Sequence, residues 1–190
     1  KISRQNRPSE MQRAASPGTF SIDNIDPIDG NWIAGLIDGE GCFSMRRIRN
    51  TYQAVFTISL RDDETILTDT FSRILGIKNP HSVLDDKSHK DSPNCNPVIK
   101  LSIYDTPTLH YQLNALLKRF PLRSKKKFEF CVFDLAITTL IKKRLEGRRR
   151  ALYTAEERDL LEQCTNALHN LKKYKADYVT ILQNLGLPTN

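Results

Sequence analysis

Trp32-Ile33-Ala34-Gly35-Leu36-Ile37-Asp38-Gly39-Glu40-Gly41 changes character halfway, and its reading decides the fold. The first half is apolar and small, with bulk at Trp32, Ile33, Leu36 and Ile37 on helical spacing. The second half is acidic and glycine-rich, and a strand-like run begins at once with Cys42-Phe43-Ser44-Met45. The pattern predicts a short helix that ends by presenting carboxylates. Asp26-Pro27 or Asp29 can cap its start, because an aspartate accepts from the first free N–H groups and proline suits the first turn. Gly35 inside a helix costs about 1 kcal/mol relative to alanine, so something must offset it. Ala34, Gly35 and Gly39 are expected to leave one face bare enough for a second helix to approach closely. A second copy of the same segment would create a two-fold axis. Asp38 and Glu40 from each copy would then lie near that axis. Their oxygens would suit a hard divalent cation, and the helix C-terminus adds negative potential. The competing reading is an ordinary buried helix followed by a glycine turn. The chain has neither a phosphate-cradling G-x-x-x-x-G-K-[ST] nor a strand before the glycines, so two nucleotide-binding motifs are excluded.

Ile33 to Gly41 resembles the motif that names the LAGLIDADG homing endonucleases. Seven of nine positions agree when Glu40 is counted for aspartate; Ile33 and Gly39 are the departures. The chain carries one copy of the motif. Single-motif members of the family act as homodimers, so the resemblance implies the two-fold arrangement that packing suggests. It assigns the docking surface to Trp32, Ile33, Ala34, Gly35, Ile37 and Asp38, with Asp38 in a structural and capping role.

The chain has 190 residues, 39% of them hydrophobic. That is one domain, long enough to bury a core. A net charge of +7 and a pI near 9.3 favour polyanions, nucleic acid first and an acidic membrane surface second. No apolar run approaches the ~20 residues of a membrane span. Cys42, Cys95, Cys131 and Cys164 are widely spaced, with no C-x-x-C pair. They read as reduced, mostly buried thiols of an intracellular protein, and a zinc ribbon is disfavoured. Residues 1–19 are rich in Arg, Ser and Pro and poor in acids. They fit a disordered tail, a targeting remnant or a DNA-binding arm.

Phe43 to Arg49 and Tyr52 to Leu60 read as a hairpin joined at Asn50-Thr51. Ala54, Phe56, Ile58 and Leu60 form one face; Gln53, Val55, Thr57 and Ser59 form the other. The polar face suits base edges and phosphates, although exposed sheets often look like this without a ligand. Asp62 or Asp63 is expected to cap a helix from Thr65 to Leu75, closed by Gly76. His81 to Leu84 and Val98 to Tyr104 read as two more strands, with Ile99, Leu101 and Ile103 inward. His81 and His89 have no partner at metal spacing and are assigned to the surface. Pro107 opens a helix to Arg119 with Leu109, Leu113, Leu116 and Leu117 on its apolar side. Phe128 to Leu145 is amphipathic, Thr154 to Glu157 is a capping box, and Tyr178 to Leu185 is a last helix. The expected divisions are an N-terminal arm at 1–25, a core at 26–146 and a helical extension at 147–190.

Lys125-Lys126-Lys127 at the start of a helix is an odd place for cations, since that end repels them; a nearby phosphate would explain them. The element order matches what the resemblance implies over roughly 29–145: an α+β LAGLIDADG fold, αββαββα, whose antiparallel sheet forms a saddle on DNA, with C-terminal helices added. The resemblance further implies a site-specific endonuclease. As a homodimer it makes double-strand breaks across the minor groove of a long pseudo-palindromic site and leaves 3′ overhangs. Glu40 and the Gly39 carbonyl would hold Mg2+, with Ca2+ or Mn2+ able to substitute. Lys125 and Arg61 would offset charge on the scissile phosphate, flanked by Arg123 and Lys127. Leu60 stands where some relatives carry a polar residue, a departure that touches the groups organising water. Base reading would fall to Ser44, Arg46, Asn50, Gln53, Thr57, Ser59, Lys100 and Ser102, with Arg suited to guanine and Gln or Asn to adenine. Alternatives on the same scaffold are an intron RNA maturase and a DNA-binding protein that does not cut. The cellular setting would be an organelle or a bacterial or archaeal cytoplasm.

Overall fold

The computed structural model describes residues 21–77, 81–84, 98–146, 153–173 and 176–189. Helix α1, Pro27–Glu40, runs into strands β1, Gly41–Ile48, and β2, Thr51–Arg61. Helix α2, Thr65–Ile74, is followed by β3, His81–Leu84, and β4, Val98–Ile103. A helical segment over 106–119, here α3, leads to α4, Lys126–Leu145. Helices α5, Ala155–Leu171, and α6, Tyr178–Asn184, complete the described chain. This is the α+β order expected from the motif. The four strands lie in the order β1-β2-β4-β3, and each neighbouring pair is antiparallel.

Asp26 starts α1 by accepting from the Ile28 N–H at 2.7 Å, with Pro27 in the first turn. Gly30, Ile33, Ala34 and Ile37 are its buried residues. Gly30 is needed there because a Cβ would fall 2.3 Å from the Phe120 ring. Gly41 ends the helix; a Cβ on it would lie 2.7 Å from the Ile37 carbonyl oxygen. The chain can therefore leave α1 and enter β1 within one residue.

The hairpin turn is Arg49-Asn50, one residue earlier than expected, because Thr51 pairs with Ile48. Arg49 adopts φ 55 there. Alternation in β2 holds with one exception: Ala54, Phe56, Ile58 and Leu60 are buried and Gln53, Thr57 and Ser59 half-buried, but Val55, expected on the polar face, is buried as well. The buried face meets the helices. Phe43 sits at the centre, with ring centroids 5.2 Å from Phe56, 5.0 Å from Phe133 and 5.8 Å from Phe130.

Three local expectations are corrected. Neither Asp62 nor Asp63 caps α2: a 3-10 turn, Asp62–Glu64, intervenes, and Asp63 pairs with Arg61 instead. Gly76 does close that helix, at φ 63, with the Ile77 N–H reaching back to the Ser72 carbonyl. The helix over 106–119 contains a π turn, Leu109–Asn114, yet Leu109, Leu113, Leu116 and Leu117 all remain buried. Cys42 is exposed rather than buried; Cys131 is half-buried and Cys164 buried. Burial pushes the Cys164 thiol up to about 12. Cys95, His89 and the side chain of His81 lie outside the described residues.

The C-terminal helices share the core. Leu161, Cys164, Leu168, Leu171 and Leu182 belong to the same buried cluster as Phe43 and Phe133. The capping box forms as expected: Thr154 Oγ1 accepts from the Glu157 N–H at 3.2 Å, and the Thr154 N–H donates to Glu157 Oε2 at 3.0 Å. Among the described residues, no helix is long and apolar enough to cross a membrane.

Candidate functional site

Glu40 is the last residue of α1, is exposed, and makes no hydrogen bond or ion pair among the described residues. The carbonyls around it are gathered onto one cation. Lys126 Nζ donates to Gly41 O at 2.6 Å, Ile37 O at 3.1 Å and Gly39 O at 3.3 Å. A helix C-terminus leaves its last carbonyls unpaired and carries negative potential. The ammonium of Lys126 answers both. The lysine run at the start of α4 is thus explained in part by the end of α1.

The tie is reciprocal. Asp38 Oδ2 accepts from the Arg123 N–H at 2.7 Å and the Ser124 N–H at 3.1 Å, and Oδ1 accepts from Ser124 Oγ at 2.7 Å. Ser124 Oγ in turn accepts from the Lys126 N–H at 3.1 Å. An acid of α1 holds the start of α4, and a base of α4 holds the end of α1. Glu129, one turn further along α4, is raised above the ordinary carboxylate range by burial, against the lowering pull of Lys172, Lys126 and Lys125.

Two oxygen donors fit a hard divalent ion: the unpartnered Glu40 carboxylate and the Gly39 carbonyl, which already faces a cation. No group of three His, Cys, Asp or Glu is gathered among the described residues.

Ile28, Trp32, Gly35 and Gly39 form an exposed stripe on α1 at helical spacing. Ile28 is 79% exposed, and a Cβ at Gly35 or Gly39 would meet nothing within 4 Å. Of the expected docking residues, Trp32 and Gly35 lie on this stripe. Ile33, Ala34 and Ile37 do not; at 0%, 5% and 0% exposure they fill the chain's own core. Asp38 is occupied by Arg123 and Ser124.

On the sheet's outer face, Arg46 and Lys100 are exposed, Ser44, Gln53, Thr57 and Ser59 half-buried, and Ser102 buried; Asn50 is exposed in the turn between β1 and β2. Thr57 and Ser102 share a hydrogen bond at 3.2 Å, and Ser44 Oγ donates to the Val55 carbonyl at 3.2 Å. Arg61 is on the same face and is paired to Asp63 at 2.6 Å. The Lys125 ammonium lies 6.0 Å from the centre of the Tyr178 ring, and the Lys127 ammonium lies 5.0 Å from the centre of the Phe128 ring. Lys126 is the member of the run that reaches the Glu40 end of α1. Two further residues escaped the sequence reading. Tyr104 lies under Arg46, and Lys172 donates to the exposed Cys42 sulfur at 3.2 Å. The negative end of α1, needing a cation, was the signal that could have found Lys126.

The solved structures similar to this chain carry related architecture. The LAGLIDADG meganuclease I-AabMI bound to uncleaved DNA matches with a TM-score of 0.57 at 23% identity, over 72% of this chain and 43% of that one. I-SmaMI bound to an uncleaved DNA target in the presence of calcium ions matches with a TM-score of 0.59 at 16% identity, over 88% and 55%. The homing endonuclease I-TnaI matches with a TM-score of 0.55 at 16% identity, over 83% and 95%. The chain thus spans about half the length of the first two and nearly all of the third. No curated protein matches it. The family model for the LAGLIDADG endonuclease matches residues 33–137, more than half of the sequence and the span from the motif helix to α4, so the chain belongs to the LAGLIDADG endonuclease family.

Proposed function

We propose that the protein is a site-specific DNA endonuclease that works as a two-fold pair of α1 helices and hydrolyses phosphodiesters with Mg2+. The observation that carries this reading is the end of α1: an exposed Glu40, unpartnered among the described residues, beside a carbonyl turned toward a cation, on a helix whose glycine stripe no described residue fills. The DNA carried by I-AabMI, and the DNA and calcium of I-SmaMI, support the choice of ligand and ion class.

Each part has a physical task. Close approach of two helices through Gly35 and Gly39 would bring two Glu40 carboxylates to one axis and complete a donor set that one copy lacks. Glu40 and the Gly39 carbonyl would hold the ion. A divalent ion held by these oxygens would supply an activated water and charge stabilisation at the leaving oxygen. Lys126, whose ammonium reaches the α1 carbonyls beside Glu40, would turn from them to the developing charge on the phosphate in preference to Lys125. Arg61 would assist after giving up Asp63. The outer sheet face, with Arg46 and Lys100 exposed and no acid at the outward positions of β1, β2 and β4, would lie on the duplex.

Glu40→Gln tests the reading. It is expected to keep duplex binding and to abolish Mg2+-dependent cutting of the target. Unchanged cutting removes Glu40 from the mechanism. Binding to structured intron RNA but not to duplex DNA would favour the maturase reading instead.

A further inference from the structure

Arg46 and Gln53 stand directly opposite each other on β1 and β2, both on the outer face. Arg46 Nε and Nη2 both donate to Gln53 Oε1, at 2.9 and 2.7 Å. The guanidinium carbon lies 5.8 Å from the centre of the Tyr104 ring. Val55, the next outward residue of β2, is only 7% exposed, so this part of the face has an apolar floor. A long arginine is thereby oriented before any ligand arrives. The entropy that such a side chain ordinarily loses on binding is already lost.

The hydrogen-bond inventory decides what the pair can read. Guanidinium carries five N–H donors and no acceptor. Two of them are directed at Gln53. Three remain, including the end-on fork formed by Nη1 and Nη2. Both lone pairs of the Gln53 carbonyl are taken, which leaves its amide two donors. The opposite amide orientation would set donors against donors, so the network itself fixes which atom faces Arg46. The Arg46–Gln53 pair therefore offers only donors. Bidentate pairing of glutamine to adenine needs the carbonyl to accept from the adenine amino group, and here that carbonyl is occupied. Cytosine presents an amino donor and is refused as well. Guanine, with N7 and O6 side by side as acceptors, matches the free fork.

Resting on the reading of the outer face as a DNA surface, we infer that Arg46, held by Gln53 and Tyr104, reads one guanine per protomer, and that Gln53 acts as its positioning residue and not as an adenine reader. The test is selection of bound duplexes from a randomised library in Ca2+, with wild type, Arg46→Lys, Arg46→Ala and Gln53→Ala. Wild type should enrich guanine at one position in each half-site. Arg46→Ala should lose about tenfold or more of the preference there, the size of one bidentate base contact, with other positions unchanged. Arg46→Lys should keep overall affinity within a few-fold yet lose the same preference, because a point charge lacks the fork. Gln53→Ala should weaken the guanine preference without creating or removing one for adenine. Enriched sites in which no guanine responds to Arg46→Ala, or in which an adenine preference responds to Gln53→Ala, would overturn the inference alone. Failure of wild type to enrich any duplex would overturn it together with the reading of the face.

Discussion

At the scale of single residues, the three adjacent lysines separate cleanly. Consecutive helical positions are about 100° apart, so Lys125, Lys126 and Lys127 face three directions, and only Lys126 reaches the carbonyls beside Glu40. Lys126→Met should reduce cleavage by about 10²–10³-fold, the scale of removing one group that stabilises transition-state charge. Lys125→Met should change it by less than about tenfold. Single-turnover rates on the same duplex, with binding measured beside them, check both. Tyr52 makes a second residue-scale prediction. Its hydroxyl donates to Glu162 Oε2 at 2.7 Å, and burial first, then Glu162, push it up from 10.0 to about 12. The folded chain thus holds this proton more tightly than the unfolded one. Its contribution is complete below the ordinary value and is lost as pH rises through about 12. Tyr52→Phe should lose about 1 kcal/mol at neutral pH and show a shallower alkaline decline in urea-unfolding stability than wild type.

At the scale of the element, α1 has two glycines whose substitutions should act in opposite directions. Gly30→Ala drives a Cβ into Phe120 and should cost about 1–3 kcal/mol, the ordinary range for overpacking. Gly35→Ala meets nothing within 4 Å among the described residues and should stabilise the isolated chain by about 1 kcal/mol. Chemical unfolding reads both. If the stripe is a docking surface, light scattering of Gly35→Leu should show a shift toward monomer. The same helix shows what a sequence reveals and what it withholds. Its boundaries, its apolar half and its acidic end were legible because caps, proline and the motif are local. Its inward side was not. Ala34 looks like an ideal small contact residue, yet the buried set 30, 33, 34, 37 places it inside. The alternation of β2 was legible because one sheet face is buried. The turn at Arg49-Asn50, the uncapped α2 and the π turn in 106–119 were not, because register and packing against distant elements decide them. At the candidate site, Glu40 could be named from the motif, whereas which of the three lysines meets the end of α1 depends on the position of another helix.

At the scale of the whole molecule, charge and topology work together. A net charge of +7 predicts DNA binding with a steep salt dependence. Six or more phosphate contacts would lower affinity by about 10³-fold or more between roughly 50 and 200 mM salt; fluorescence anisotropy over that range measures it. The core that supports the sheet is shared between the motif segment and the C-terminal helices. The mutual ties of Asp38 to Ser124 and of Lys126 to Gly41 add a mechanical consequence. Helix termini ordinarily fray independently, each opening its own amides to solvent. Here the last turn of one helix and the first turn of another, more than 80 positions apart in sequence, can open only as a joint event. Amide deuteration at 38–41 and at 124–128 should therefore proceed at matched rates, and cutting either tie should accelerate both.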